Sequence, residues 1–119
     1  MSYKDLPSKI KSLKPCKIIL IGHRSADADA LVSIELFKFL VNSIRKDMQI
    51  DILIPEKIAG KAIKISKSLK IKKLEVLPEP EIYGLAVFLD VGGESVLGSA
   101  DIYLKNVKEK WLIDHHIQT

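Results

Sequence analysis

The sequence predicts an α/β fold, a Rossmann-like, mainly parallel sheet with helices on both faces. Two short, almost continuous apolar runs, 17–22 and 85–90, have the pattern of strands buried on both faces, which belong to parallel sheets. Segment 30–44 carries apolar residues at helical spacing, and strand-type and helix-type segments alternate along the chain. That alternation suits a layered α/β domain with right-handed crossovers.

The elements follow in order. "MSYKDLPSKIKSLKP" reads as a polar leading segment; it carries lysines but no apolar core of a secretory signal. "KIILIG" (17–22) is a β-branched strand ending in glycine, and "HRSADADA" (23–30) is polar without periodicity, a strand-to-helix turn. "ALVSIELFKFLVNSI" (30–44) places apolar residues at 30, 31, 34, 37, 40, 41 and 44, a helix with a wide buried face. "MQIDILIP" (48–55) alternates in its first half and is stopped by Pro55 as a strand.

Residues 56–70 predict a second helix, with Ile58, Ala62, Ile65 and Leu69 on one stripe and Lys57, Lys61, Lys64 and Lys67 on another. Phosphate contact is one use for the lysine stripe, but a solvated face is the ordinary one. "KLEVL" (73–77) is a short extended piece, and "PEPEIYG" (78–84) a prolyl link in which helix is not expected. "LAVFLD" (85–90) is a strand ending in aspartate, "ESVLGSADIYLKN" (94–106) combines a short helix with a turn, and "KWLID" (110–114) is the last strand.

At 119 residues the chain is one domain, large enough to bury its own core. It is 47% hydrophobic and 29% charged, with no apolar run of about 18 residues, so neither a membrane span nor general disorder is expected. A soluble cytoplasmic protein is the expectation. The single cysteine, Cys16, cannot form an internal disulfide and is expected in or near the core. Seventeen lysines against two arginines, with four Asn plus Gln, match the bias of heat-adapted proteins, so the net charge of +4 does not by itself point to an anionic partner.

Three strand ends carry acids or imidazoles: His23 with Asp27 and Asp29, then Asp90, then Asp114-His115-His116. Ligands of open parallel sheets bind beyond the carboxyl ends of the strands. Each group has an ordinary alternative: Asp27 or Asp29 as a helix cap, Asp90 as a turn opener before Val91-Gly92-Gly93, the histidines as surface imidazoles. Three such accidents at one edge are less plausible than one site. Carboxylates mixed with imidazoles suit Mn²⁺, Fe²⁺, Co²⁺ or Zn²⁺ better than Ca²⁺, and the lack of thiolate partners argues against structural zinc. Asp27 and Asp29 would point about 200° apart in a helix, so they serve neighbouring metals only from a turn. A strand-end aspartate can bridge two ions about 4 Å apart, the arrangement that clamps attacking and leaving oxygens at phosphorus.

"HRSADADA", the strand-end aspartate of "LDVGG" and the later "DHH" together resemble the DHH phosphoesterase superfamily, over nearly the whole chain. Asp27-Ala28-Asp29-Ala30 is more similar to its RecJ-like nuclease and oligoribonuclease branch than to the pyrophosphatase branch. The resemblance implies a phosphoesterase using two Mn²⁺ ions, with Mg²⁺ or Co²⁺ as alternatives. It assigns His23, Asp27 and Asp90 to one metal, and Asp29, Asp90 and His115 to the second. Asp90, His115 and His116 would be the catalytic residues, His116 and Arg24 would meet the substrate phosphate, and Asp114 would orient the histidines.

Family members continue with a further aspartate and a second, substrate-binding domain, neither of which is in this sequence. The expectation is therefore an N-terminal piece, 1–119, whose site is completed by a missing C-terminal segment or a partner chain, and whose isolated form binds metal weakly and turns over little. The expected substrate is a phosphodiester in single-stranded or short nucleic acid, or a small nucleotide. The alternative is a non-catalytic DHH-like interaction module in a replication or repair assembly. A nucleotide-binding Rossmann-like domain fits less well, because "LIGHRSADADA" has no Gly-x-Gly and no Walker lysine.

Overall fold

The structure, a computed structural model of the chain, describes residues 5–22, 28–54, 67, 74, 76–89 and 101–113, residues 28–30 through their backbone alone. Among them run α1 (Leu6–Ser12), β1 (Lys17–Ile21), α2 (Ala28–Ile44), β2 (Gln49–Leu53), a 3-10 turn (Pro80–Ile82), β3 (Leu85–Leu89), α3 (Asp101–Asn106) and β4 (Glu109–Ile113). The four strands form one parallel sheet in the order β2-β1-β3-β4. This is the α/β, Rossmann-like architecture expected from the two-face burial of 17–22 and 85–90.

β1 and β3 are the inner strands, and their composition follows from that place. Ile18, Leu20, Leu85, Val87 and Leu89 face one layer; Ile19, Ile21, Ala86 and Phe88 face the other, and all are buried. β4 is buried on one side only, through Trp111 and Ile113, while Leu112 is exposed. The first layer packs Leu6 and Ile10 of α1 with Leu31, Ile34, Phe37 and Val41 of α2. The second packs Tyr103 of α3 with Val107, Tyr83 and Leu53. β1 to β2 steps one way along the sheet and β3 to β4 steps the other, so crossovers of one hand put α2 and α3 on opposite faces.

Four expectations are corrected. The leading segment holds α1, which the sequence did not predict because only Leu6 and Ile10 mark its buried side. α2 begins at Ala28, two residues before the predicted start. The prolyl link contains a 3-10 turn, with the Tyr83 amide donating to the Pro80 carbonyl at 3.1 Å; proline's fixed φ suits the first position of such a turn. Leu74 stands outside any strand, though its amide donates to the Ile52 carbonyl at 2.7 Å. Of the second predicted helix only Lys67, helical and exposed, is described. No helix among the described residues is long and apolar enough to cross a membrane.

α1 is held from a distance. Arg45, just past α2, donates through Nη1 to the carbonyls of Ile10 (3.0 Å), Lys11 (3.3 Å) and Leu13 (2.6 Å). These are carbonyls that a helix end leaves without intrahelical partners. Its Nε and Nη2 grip Asp47 at 2.8 and 2.6 Å, a fork that fixes the guanidinium plane and holds the Asp47 carboxyl below its ordinary value. On the opposite face Asp51 accepts the Tyr83 hydroxyl at 2.5 Å and lies 3.5 Å from the Lys17 ammonium, which sits over the Tyr83 ring. Burial pushes the Tyr83 phenol well above its ordinary value, and the bond to Asp51 pushes the same way because it needs the proton.

Two predictions follow from these pins. Arg45→Met keeps the apolar stem and removes every donor, so it should lower the melting temperature and strip hydrogen-exchange protection from Leu6–Ser12 before the sheet; unchanged protection there would show that the three carbonyl bonds do not hold α1. For Tyr83, a raised folded pKa means stability that is complete below about pH 10, the unfolded value, and lost as pH rises above it. Tyr83→Phe should therefore cost about 1–2 kcal/mol at pH 7 and make stability fall less steeply in alkali. Tyr103, raised by burial in the same layer, keeps part of the slope. Parallel pH–stability curves for the two proteins would refute the assignment.

Candidate functional site

The carboxyl edge of the sheet is defined by β1, β3 and β4 as adjacent parallel strands. Ile21 pairs with Phe88 and Leu89 with Ile113. Counting one step on from Ile21, Gly22 falls in the row of Leu89 and Ile113. Gly22 continues the sheet on its other side, its amide donating to the Leu53 carbonyl at 3.0 Å. The next residues in the sequence after this row are His23, Asp90 and Asp114. Adjacent strands lie about 4.8 Å apart, so the row spans roughly 10 Å, with the strand that precedes Asp90 in the middle.

The edge is also the point where the strand order reverses. From β1 the chain passes to β2 on one side, and β3 lies on the other. Such a switch point opens a crevice between neighbouring carboxyl ends, because the following connections leave toward opposite faces.

Of the predicted site residues, Asp29 lies in the first turn of α2, where the helix dipole favours a carboxylate. Asp27 and Asp29 therefore do not both sit in the body of a helix, the arrangement that would have separated them. His23, Arg24, Asp27, Asp90, Asp114, His115 and His116 lie outside the described residues, as does the question of their convergence. Among the described residues no three His, Cys, Asp or Glu side chains gather as a metal site.

A cavity of about 520 Å³ opens at the opposite, amino edge, lined by Lys9, Ser12, Cys16, Gly84, Glu109 and Trp111 among others. It exists because the chain before β1 and the chain before β3 approach closely at Gly84: a Cβ there would lie 2.6 Å from Cys16 Cβ and 3.1 Å from its Sγ. Its charges are mixed and its lysines exposed, and parallel sheets do not place their chemistry at this edge. Burial pushes the Cys16 thiol up, with Glu109 adding to the effect, so the thiol stays protonated at neutral pH. Cys16 accordingly borders the core, as expected.

Two features escaped sequence reasoning although their signals were present. Val32, Leu36 and Phe39 stand at i, i+4 and i+7 on α2 and form a second apolar stripe that is exposed, Phe39 at 72%. The spacing could have shown a face separate from the buried one. Gly22, ending an apolar strand directly before His23, was read only as the strand's last residue.

Comparison with protein-family models, with curated proteins and with solved structures finds no match to this chain.

The protonated Cys16 gives a direct check. Alkylation by iodoacetamide at pH 7 should be slower than for a free thiol, and Glu109→Gln should speed it by removing a charge that opposes the thiolate; an unchanged rate in that variant would separate Glu109 from the thiol.

Proposed function

We propose that the chain is a divalent-metal-dependent phosphoesterase, or the catalytic half of one, acting through two Mn²⁺ ions on phosphodiester bonds of single-stranded or short nucleic acid or on a small nucleotide. The observation that carries the reading is the strand order. The three strands that precede His23, Asp90 and Asp114 are adjacent and parallel, and the one before Asp90 is central. A carboxylate that bridges two ions needs a place between the other ligands, and the central strand offers it.

The donor set fits the metal: carboxylates and imidazoles suit Mn²⁺, Mg²⁺ or Co²⁺ in the order of preference that mixed oxygen and nitrogen ligands set. His23, Asp27 and Asp90 would hold one ion, and Asp29, Asp90 and His115 the other, as the resemblance to DHH phosphoesterases implies. When bound, the ions supply Lewis acidity for in-line displacement at phosphorus. Arg24 and His116 would bind and orient the phosphate, and Asp114 would fix the tautomer of the neighbouring imidazoles. Asp29, at the start of α2, shares that helix's positive end with the anionic substrate.

A non-catalytic interaction module in a replication or repair assembly is the second reading. It is favoured by the exposed Val32, Leu36 and Phe39 stripe on α2, an apolar face of the kind that interaction surfaces use.

Asp90→Asn discriminates. Calorimetric titration with Mn²⁺ should show affinity weakened at least ~10-fold, the scale of losing a charged ligand shared by two ions. Mn²⁺-dependent hydrolysis of a short single-stranded oligonucleotide should be lost with circular dichroism unchanged. The metal-free variant should melt no lower than the parent, since one member of a self-repelling acid cluster is gone. Equal Mn²⁺ affinity in parent and variant would rule out the bridging role, and a parent that binds no Mn²⁺ would favour the interaction module.

A further inference from the structure

We infer that Gly22 is a positioning residue of the proposed site: its missing side chain lets the end of β1 seat against Ile34 of α2, and this contact sets where the chain departs toward His23. The inference rests on the phosphoesterase reading.

Gly22 is buried and held on three sides. Its amide is bonded to the Leu53 carbonyl at 3.0 Å, so the backbone cannot drift away from β2 without losing a sheet bond. A Cβ built on it would lie 3.0 Å from Ile34 Cδ1 and 3.8 Å from Ile54 Cγ1. The first distance is inside the usual range of carbon–carbon contact, which is about 3.5–4.0 Å. Ile34 is fully buried beside Leu31, Phe37 and Val41, so its methyl has no free space to retreat into. An added methyl must therefore displace either α2 or the chain immediately after β1.

Both routes touch the proposed metal ligands. α2 carries Asp29 in its first turn, five residues before Ile34, and the chain after Gly22 leads at once to His23. The two residues are assigned to different ions, so the Gly22–Ile34 contact fixes the spacing between ligands of the two ions. Ligand constellations tolerate only about 0.5 Å of displacement.

The geometry supplies its own rescue. Ile34→Val deletes Cδ1, the atom that a Gly22→Ala methyl would strike. Gly22→Ala should weaken Mn²⁺ binding about tenfold, a loss within the coupling range of residues in contact. Gly22→Ala/Ile34→Val should return the affinity to within about twofold of the parent, and Ile34→Val alone should leave it unchanged while lowering the melting temperature. A structural role alone would move melting temperatures without this crossed pattern in Mn²⁺ affinity. Parent-like binding by Gly22→Ala, or a loss that Ile34→Val does not repair, would overturn the inference while leaving the phosphoesterase reading standing. A parent chain that binds no Mn²⁺ would overturn both.

Discussion

The structure depends on the pairing of β1 with β3. Both strands are buried on both faces, and no residue from Ile18 to Ile21 or from Leu85 to Leu89 is more than 3% exposed. A strand so placed needs a layer on each side, because either face left open would return a row of isoleucines, leucines and valines to water at about 25 cal/mol per Å². α1 and α2 are required on one face and α3 on the other. β2 and β4 then complete the pairing of the inner strands' outer edges. The switch in strand order is the consequence of having two inner strands whose crossovers depart in opposite directions.

The two edges of this sheet are built differently. At the amino edge, polar groups tie distant segments together: Arg45 reaches α1 across more than thirty residues of sequence, and Asp51 joins Lys17 to Tyr83. Gly84 draws the chain before β3 against Cys16. Each contact satisfies a carbonyl, carboxylate or hydroxyl that would be costly to bury alone. The described part of the carboxyl edge has no comparable pin. There Gly22 packs backbone against side chain, and the residues that follow the three strands are acids and a histidine. An amino edge stiffened by internal bonds and a carboxyl edge stocked with ligand-type residues are the division of labour expected of a parallel sheet that binds at its strand ends.

How much of this was legible in the sequence varied with how local its cause is. β1 and β3 could be read because burial on both faces leaves a continuous apolar run and nothing else does so in so few residues. α2 could be read from its buried stripe, and its exposed stripe was overlooked because reasoning stopped once one face had been found. α1 was not legible: seven residues with two apolar positions have too little propensity to be a helix alone, and what holds α1 is Arg45, whose partners cannot be inferred from spacing. The Tyr83–Asp51 bond was hidden for the same reason. A tyrosine beside a glycine in a prolyl link does not announce a carboxylate thirty-two residues earlier.

For the candidate site, the sequence supplied which residues follow the strands but not which strands are neighbours. Four parallel strands admit several orders, and most would separate β1, β3 and β4. In the order β2-β1-β3-β4, with Leu89 in register with Ile113 and Phe88 with Ile21, the residue next after β3 is the one with partners to either side. Moving β4 beside β2 would have left Asp90 next to His23 alone, with Asp114 and the two histidines beyond β2. The central role given to Asp90 on chemical grounds, as the one carboxylate shared by two ions, thus has a topological counterpart that was free to come out otherwise.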